Sequence, residues 1–323
     1  MSSSPTQIVI SDTQTAPESL IALLTSHLPH SLPVLRRIQF AAKFPRGSSA
    51  GTHILYAYSP GQDPKDDDDQ NFAAAYVDLS RRQETQVWIY STLEDSSSLA
   101  SEDPSGNVSF DDLSPAELEL SDGILSALLG RIRTIAEVEV NEVEGKGVSG
   151  SSDGARSSWV LFGSVHEAVR QRMLRSLGVR MKKAATVGPE LEWEFCGKWL
   201  FRIEDLVLSS SENEEEVLRW DKVKREDVKL VQSRTGILRT ELEDGTPVAW
   251  AFLGLDGTLM TLHVEEPYRR MGLAKAVARR VMRDHLAEYG DDGWGAADVF
   301  VQNEKSQALC RSIGGKMKWT LSW

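Results

Sequence analysis

Apolar residues recur along this 323-residue chain in two rhythms. Alternating or continuous apolar runs at THILYAYS (52–59), AAAYVDL (73–79), QVWIYS (86–91) and SWVLFG (158–163) predict β-strands. Apolar positions three and four apart in ILSALLGRIRTI (124–135) and HEAVRQRMLRSL (166–177) predict amphipathic helices. Between them lie GQDPKDDDDQ (61–70), EDSSSLASEDPSGN (94–107), EGKGVSGSSDGA (144–155) and SSSENEEE (209–216). These stretches have too few apolar side chains to offset the entropy of ordering, so they read as mobile loops, and the last is the best domain boundary.

A second series follows that boundary, opening at LRWDKVKREDVKLV (218–231) with a helix expected over 227–233 and a short one over GILRTELED (236–244). PVAWAFLG (247–254) and GTLMTLHV (257–264) predict two strands joined at Asp256-Gly257, a strong hairpin signal. In the next helix Leu273, Val277 and Val281 form one row and Ala274, Ala278, Met282 and Leu286 its neighbour. This double stripe is suited to packing on a sheet, with Lys275, Arg279 and Arg283 outward. At the chain end KMKWTLSW alternates as a last strand. The two series echo each other: SWVLFG and a helix ending Arg175-Ser176-Leu177-Gly178 parallel DVFVQN and a helix ending Arg311-Ser312-Ile313-Gly314. The shared order of strand, helix and glycine stop favours two copies of one α/β fold. The expected division is a first domain over 1–205, an acidic linker over 206–217 and a second domain over 218–323.

Charge narrows the partners. The chain carries a net −12, yet residues 217–323 hold 17 Lys plus Arg against 15 Asp plus Glu, leaving −14 for the rest. No continuous basic surface offers itself to nucleic acid or an anionic membrane, so any anion site is local. No apolar run is long enough for a membrane span and MSSSPTQIVISDTQ has no signal-peptide pattern, so a cytoplasmic protein is expected. The two cysteines, Cys196 and Cys310, belong to no metal-binding spacing. His27 and His30 lie three apart, a spacing better explained by helix surface or packing than by metal.

The local anion site falls at EEPYRRMGLAKAVARRVM (265–282), where a strand gives way to a helix. The first N–H groups of a helix lack internal partners and its dipole adds positive charge. Gly272 leaves this entrance without a side chain, and Arg269 and Arg270 add two full charges, so phosphate is the natural occupant. An arginine pair merely solvating a helix start is the plain alternative. No Gly-Lys-Ser/Thr follows and no GxGxxG is present, which excludes those two nucleotide fingerprints.

LHVEEPYRRMGLAKAVA resembles motif A of the GNAT superfamily of acyl-CoA N-acyltransferases, with Arg269, Gly272 and Ala274 on its (Q/R)xxGx(G/A) signature. NEKSQALCRSIGG (303–315) resembles the Asn-led helix of the same family, and the C-terminal part is most similar to the glycine N-acyltransferase-like branch, whose members carry a degenerate first copy of the fold. The motif-level likeness covers about the last 75 residues. It implies an acyl-CoA co-substrate, acetyl-CoA or another, held where Thr258–Val264 and Ala297–Gln302 splay apart. The pyrophosphate would meet the N–H groups of Met271, Gly272, Leu273 and Ala274 near Arg269 and Arg270, with Asn303 beside the slot. A bulge near Leu262, His263 and Val264 would offer an N–H to the thioester oxygen.

The implied reaction passes the acyl group to the amine of a small molecule or amino acid, and the amine must lose a proton. Asp298 stands where a strand-five glutamate serves in one common family pattern; a solvated edge carboxylate is the alternative. His263 is the rival base. Thr258 occupies the place of the glutamate used by glycine-conjugating members. Cys310 replaces the family's tyrosine as a candidate proton donor, although a small apolar filler is its commoner role. An acyl-CoA-binding protein without catalysis and a protein N-acetyltransferase remain open alternatives.

Overall fold

The structure, a computed structural model, describes residues 7–44, 47–60, 71–80, 84–95, 108–144, 159–181, 195–206, 219–221, 239–241 and 247–323. The chain divides into two compact units, Met1–Glu194 with Thr320–Trp323, and Phe195–Trp319.

Unit 1 runs β1 (Val9–Thr13), α1 (Glu18–Ser26), α2 (Leu32–Lys43), β2 (Thr52–Tyr58), β3 (Phe72–Asp78), β4 (Val87–Ser91), a 3-10 turn (Thr92–Asp95), α3 (Pro115–Glu144), β5 (Phe162–Gly163), β6 (Val165–His166) and α4 (Glu167–Arg175). Its sheet has the order β1-β2-β3-β4-β5, antiparallel through β4 and parallel between β4 and β5. Strand β3 is buried along its whole length. Ala73, Ala75 and Val77 join the core built with Ile124, Leu125, Leu128 and Ile132 of α3. On the other face Arg37 of α2 lies 3.8 Å from the Tyr76 ring centroid. A strand covered on both faces reads as a continuous apolar run, which is why FAAAYVD carries no polar alternation.

Unit 2 contains β7 (Cys196–Arg202), β8 (Arg219–Asp221), β9 (Arg239–Glu241), β10 (Ala249–Leu253), β11 (Thr258–Val264), α5 (Leu273–His285), β12 (Trp294–Phe300), α6 (Glu304–Ser312) and β13 (Lys316–Ser322). Its strands order as β10-β11-β12-β7-β13. β7 lies antiparallel to β12 over seven residue pairs, from Trp294↔Arg202 to Phe300↔Cys196. The last four residues belong to unit 1, where Leu321 and Ser322 pair with His166 and Val165 of β6. In α5 the expected stripe is buried at Leu273, Val277, Ala278, Val281 and Met282.

The two units share a plan. In each, an antiparallel series ends in a strand that pairs in parallel with one reached through a helical crossover, α3 or α5. Both parallel pairs hold for only two residue pairs, Val87↔Phe162 and Trp88↔Gly163 in unit 1, Thr258↔Ala296 and Leu259↔Ala297 in unit 2. The echoed helices α4 and α6 are both followed by a left-handed glycine, Gly178 at φ +63° and Gly314 at φ +87°.

Several expectations need correction. The contact division runs at 194/195, so β7 joins unit 2, because seven ladder pairs with β12 outweigh its place in sequence. Within 236–244 the described residues Arg239–Glu241 form a strand against β8, not a helix, because tertiary pairing overrides a short local pattern. The expected strand 158–163 shrinks to Phe162–Gly163, and the strand expected over 297–302 runs instead over Trp294–Phe300. Glu94 and Asp95, assigned to a loop, belong to the 3-10 turn after β4, with Glu94 buried. The helix at 227–233 and the stretches 61–70 and 209–216 lie outside the described residues, as does most of 144–155.

Candidate active site

The site of unit 2 begins with the parting of β11 and β12. After two residue pairs the strands no longer share a ladder, while β12 remains joined to β7 up to Phe300. The splay expected between these strands is therefore present. On the other side of β11 the register with β10 slips. Trp250 faces His263 and Phe252 faces Met260, so Thr261 and Leu262 oppose Ala251 alone. This is a β-bulge, and Thr261 sits at φ +48°. A β-branched residue in the left-handed region is strained, and such strain concentrates at functional sites. The bulge lies at the start of the expected stretch, touching Leu262 and preceding His263 and Val264.

Beyond β11 a 3-10 turn (Glu266–Tyr268) leads to the helix entrance. Two left-handed positions flanking Met271 shape it, Arg270 at φ +67° and Gly272 at φ +83°, the latter capping α5. A Cβ at Gly272 would meet no atom within 4 Å, so the backbone turn demands glycine and the space in front of it is open. The carbonyl of Gly272 accepts from the N–H groups of Lys275 and Ala276 at 3.0 and 3.2 Å. The N–H groups of Leu273 and Ala274 precede those bonds and face the helix end. Arg269 donates from Nε to the Val264 carbonyl at 3.0 Å, which ties the entrance to the end of β11 and leaves the outer guanidinium nitrogens for a ligand. Met271 is 62% exposed at this mouth. Asn303 caps α6, its side-chain oxygen accepting the Ser306 N–H at 3.1 Å.

The candidate proton carriers differ in circumstance. His263 is half-buried, stacked on Trp250 with centroids 4.5 Å apart and planes at 18°. Its Nε2 lies 3.9 Å from Glu265 Oε2, beyond hydrogen-bond reach, and is buried without a hydrogen-bond partner. Asp298 is neither a free base nor a solvated edge carboxylate: its side chain is 7% exposed, with Oδ1 2.6 Å from Nζ of Lys198, which is fully buried on β7. The angles fall outside hydrogen-bond geometry, so the contact is Coulombic. Protonating Asp298 would leave a buried ammonium without that counter-charge. Cys310 is buried on α6, and burial pushes its thiol up to about 12, only partly countered by Arg311. A thiol held that high is a poor proton donor to a departing thiolate, whose ordinary value is near 8.5. Thr258 is also committed, donating its hydroxyl to Asp256 Oδ2 at 3.0 Å to close the hairpin turn.

The structure thus brings Leu262, His263, Val264 and residues 269–274 onto consecutive segments around the end of β11. Lys198 escaped sequence reading. It stands about 100 residues before Asp298, in a strand with no local mark of an ionic partner, and only the β7–β12 ladder joins them.

Residues 6–190 match the family described as the acyl-CoA N-acyltransferase verG N-terminal domain. Residues 234–323 match the family described as FR47-like protein. No curated protein matches the sequence. Among solved structures, a Drosophila protein determined by a structural genomics consortium is similar in fold, with a TM-score of 0.55 at 14% identity over 98% of this chain and 97% of its own. A fungal multi-domain GH3 beta-N-acetylglucosaminidase, described as containing a GCN5-related glucosamine N-acetyltransferase region, aligns at a TM-score of 0.39 and 10% identity, covering 98% of this chain and 38% of its own. Among the described residues no helix is long and apolar enough to cross a membrane.

Proposed function

Because the chain belongs to the GNAT family of acyl-CoA N-acyltransferases that carry the verG N-terminal domain, we propose that it transfers an acyl group from acetyl-CoA or another acyl-CoA to the amine of a small molecule or amino acid. The likeness of the C-terminal motifs to the glycine N-acyltransferase-like branch supports an amino acid or small amine as acceptor. The observation that carries the reading is the conjunction of a splayed parallel pair, a bulge on β11 and the Gly272 helix entrance at its mouth.

In this reading the CoA pyrophosphate lies against the N–H groups of Met271 to Ala274, with Arg269 and Arg270 supplying charge. The thioester oxygen takes a backbone N–H from Leu262 to Val264, at and just after the bulge, where negative charge grows as the amine attacks. Attack forms the C–N bond and a tetrahedral intermediate. Its collapse breaks the C–S bond and releases CoA thiolate, while the proton lost by the amine passes to a base. His263 is the better-placed base, since its Nε2 is not tied by a hydrogen bond, whereas Asp298 must give up its ion pair to serve. Cys310 acts as filler, and the thiolate takes its proton from water. A cytoplasmic location goes with this reading and is checked by cell fractionation.

A second reading, acyl-CoA binding without transfer, is favoured by the commitment of Thr258 and Asp298 to structural partners and by the burial of Cys310. One variant serves both. Gly272→Glu puts a carboxylate at the helix entrance and strains a left-handed position by roughly 1–2 kcal/mol. Calorimetry with acetyl-CoA and longer acyl-CoAs should show affinity lost in this variant while circular dichroism shows it folded; unchanged affinity would remove the site. Wild-type protein that binds acyl-CoA yet produces no acylated amine by mass spectrometry across an amine panel would leave the second reading.

A further inference from the structure

We propose that the acyl group this protein carries is an uncharged apolar chain of about hexanoyl size rather than acetyl, and that Met260 of β11 and Phe300 of β12 line the groove that takes it. The inference rests on the acyltransferase reading and concerns the same slot. Among the described residues of unit 2 three large apolar side chains are exposed, Met260 at 44%, Phe300 at 49% and Met271 at 62%. Met271 stands at the mouth of the slot, and the other two belong to the strands that part to form it. Exposed apolar residues scattered singly need no explanation, but their confinement to one site marks that site for an apolar ligand.

Register places Met260 and Phe300 on one face of the sheet. Thr258 is level with Ala296 and Leu259 with Ala297, and residues level with each other in a parallel pair share a face. Alternation then sends Met260, Asp298 and Phe300 to the face of Thr258 and Ala296. The opposite face belongs to α5, since a Cβ at Gly295 would stand 2.8 Å from the Met282 sulfur. Across the hairpin Met260 is level with Phe252, and a Cβ at Gly254 would stand 2.7 Å from the Met260 sulfur. The missing side chain at Gly254 thus lets the thioether rest on the end of β10, and Met260 is a seated wall with its outer side open. His263 is level with Trp250, two residues before Phe252, so the candidate base shares this face. Asp298 lies between Met260 and Phe300 in level, but it is turned to Lys198 and nearly buried, which leaves the rim of the groove apolar.

The thioester oxygen, held by an N–H of Leu262 to Val264, fixes where the acyl chain begins. Its carbons run back toward the paired part of the strands, because the pantetheine arm fills the way to the mouth. From Leu262 or His263 to Met260 is roughly 7–10 Å at the rise of a strand, close to the reach of a hexanoyl chain. Acetyl ends beside the bulge and touches neither wall. A carboxylate at the far end of the chain would lose its hydration against Met260 and face the charge of Asp298.

The test is calorimetry on the full chain with CoA, acetyl-CoA, hexanoyl-CoA and adipoyl-CoA, the last matching hexanoyl in length but ending in a carboxylate. Hexanoyl-CoA should bind at least tenfold more tightly than acetyl-CoA, since the added methylenes are worth that factor even when partly buried, and adipoyl-CoA should show no such gain. In the double variant Met260→Gln with Phe300→Gln, which keeps side-chain length at two half-exposed positions, the hexanoyl-to-acetyl ratio should fall below threefold; a ratio cancels any general loss of CoA affinity. Should the double variant not fold, Phe300→Gln alone must lower the ratio at least threefold. Hexanoyl-CoA and acetyl-CoA bound within twofold of each other, adipoyl-CoA matching hexanoyl-CoA, or a ratio that survives in the folded variant overturns the groove while leaving the CoA site in place. Failure of CoA and every ester to bind defeats the acyltransferase reading and this proposal with it, so the two failures are distinguishable.

Discussion

Replacing Lys198 by Met tests whether Asp298 is a counter-ion or a base. The ammonium and carboxylate stand 2.6 Å apart, fully buried and 7% exposed respectively. At an effective dielectric constant of about 20, charges at that separation attract by roughly 6 kcal/mol. Desolvation consumes most of this, several kcal/mol for each ion, so the intact pair contributes little net stability over an apolar pair. Removing one partner strands the other, and Lys198→Met or Asp298→Asn alone should cost about 3–5 kcal/mol. The double variant should cost well under the sum, a coupling of about 2 kcal/mol or more. Urea unfolding followed by tryptophan fluorescence measures the cycle, since Trp199 and Trp294 lie on the two strands involved. In the same preparations, acyl transfer per folded molecule should stay within about threefold in Asp298→Asn. Coupling near zero would mean a pair that behaves as if solvated, refuting the structural role. A drop of roughly 10²–10⁴-fold in turnover with acyl-CoA affinity unchanged would instead make Asp298 the base.

The neutral, buried His166 predicts acid lability. Its folded value of about 3 lies below the 6.5 of a free imidazole, so its contribution is fully present above about pH 6.5 and is lost as pH falls toward about 3. His166→Asn keeps an acceptor for the Ala168 N–H and should flatten the stability profile by up to about 1.4 kcal/mol per pH unit in that window, measured as urea midpoints from pH 7.5 to 4.5; parallel profiles would contradict the burial argument. Cys310→Ala should leave acyl transfer within about twofold and lower stability by about 1–2 kcal/mol, as read by steady-state kinetics and denaturation, whereas a hundredfold loss of turnover would restore a proton-donor role.

The helix entrance was legible because its chemistry is local. Arg269, Gly272 and Ala274 lie within six residues, and a left-handed glycine before an amphipathic stripe is specified by neighbours in sequence. The strands of β2, β3, β4, β10 and β11 were legible for the same reason, since apolar periodicity follows burial of one or both faces. Even the duplication showed in the repeated helix endings at Gly178 and Gly314.

What escaped depends on residues brought together from afar. The sequence by itself determined two α/β repeats, a glycine-led helix entrance in the second and the elements flanking it. Only the tertiary structure decided that β7 enters the second unit, that Lys198 engages Asp298, and that His27 and His30 share the Asp95 carboxylate, 68 and 65 positions away in the chain. Periodicity records which face of an element is buried. It does not record which ladder an unpaired strand joins or which charge a buried side chain meets, because those are settled by long-range pairing and by the energy of burying ions together.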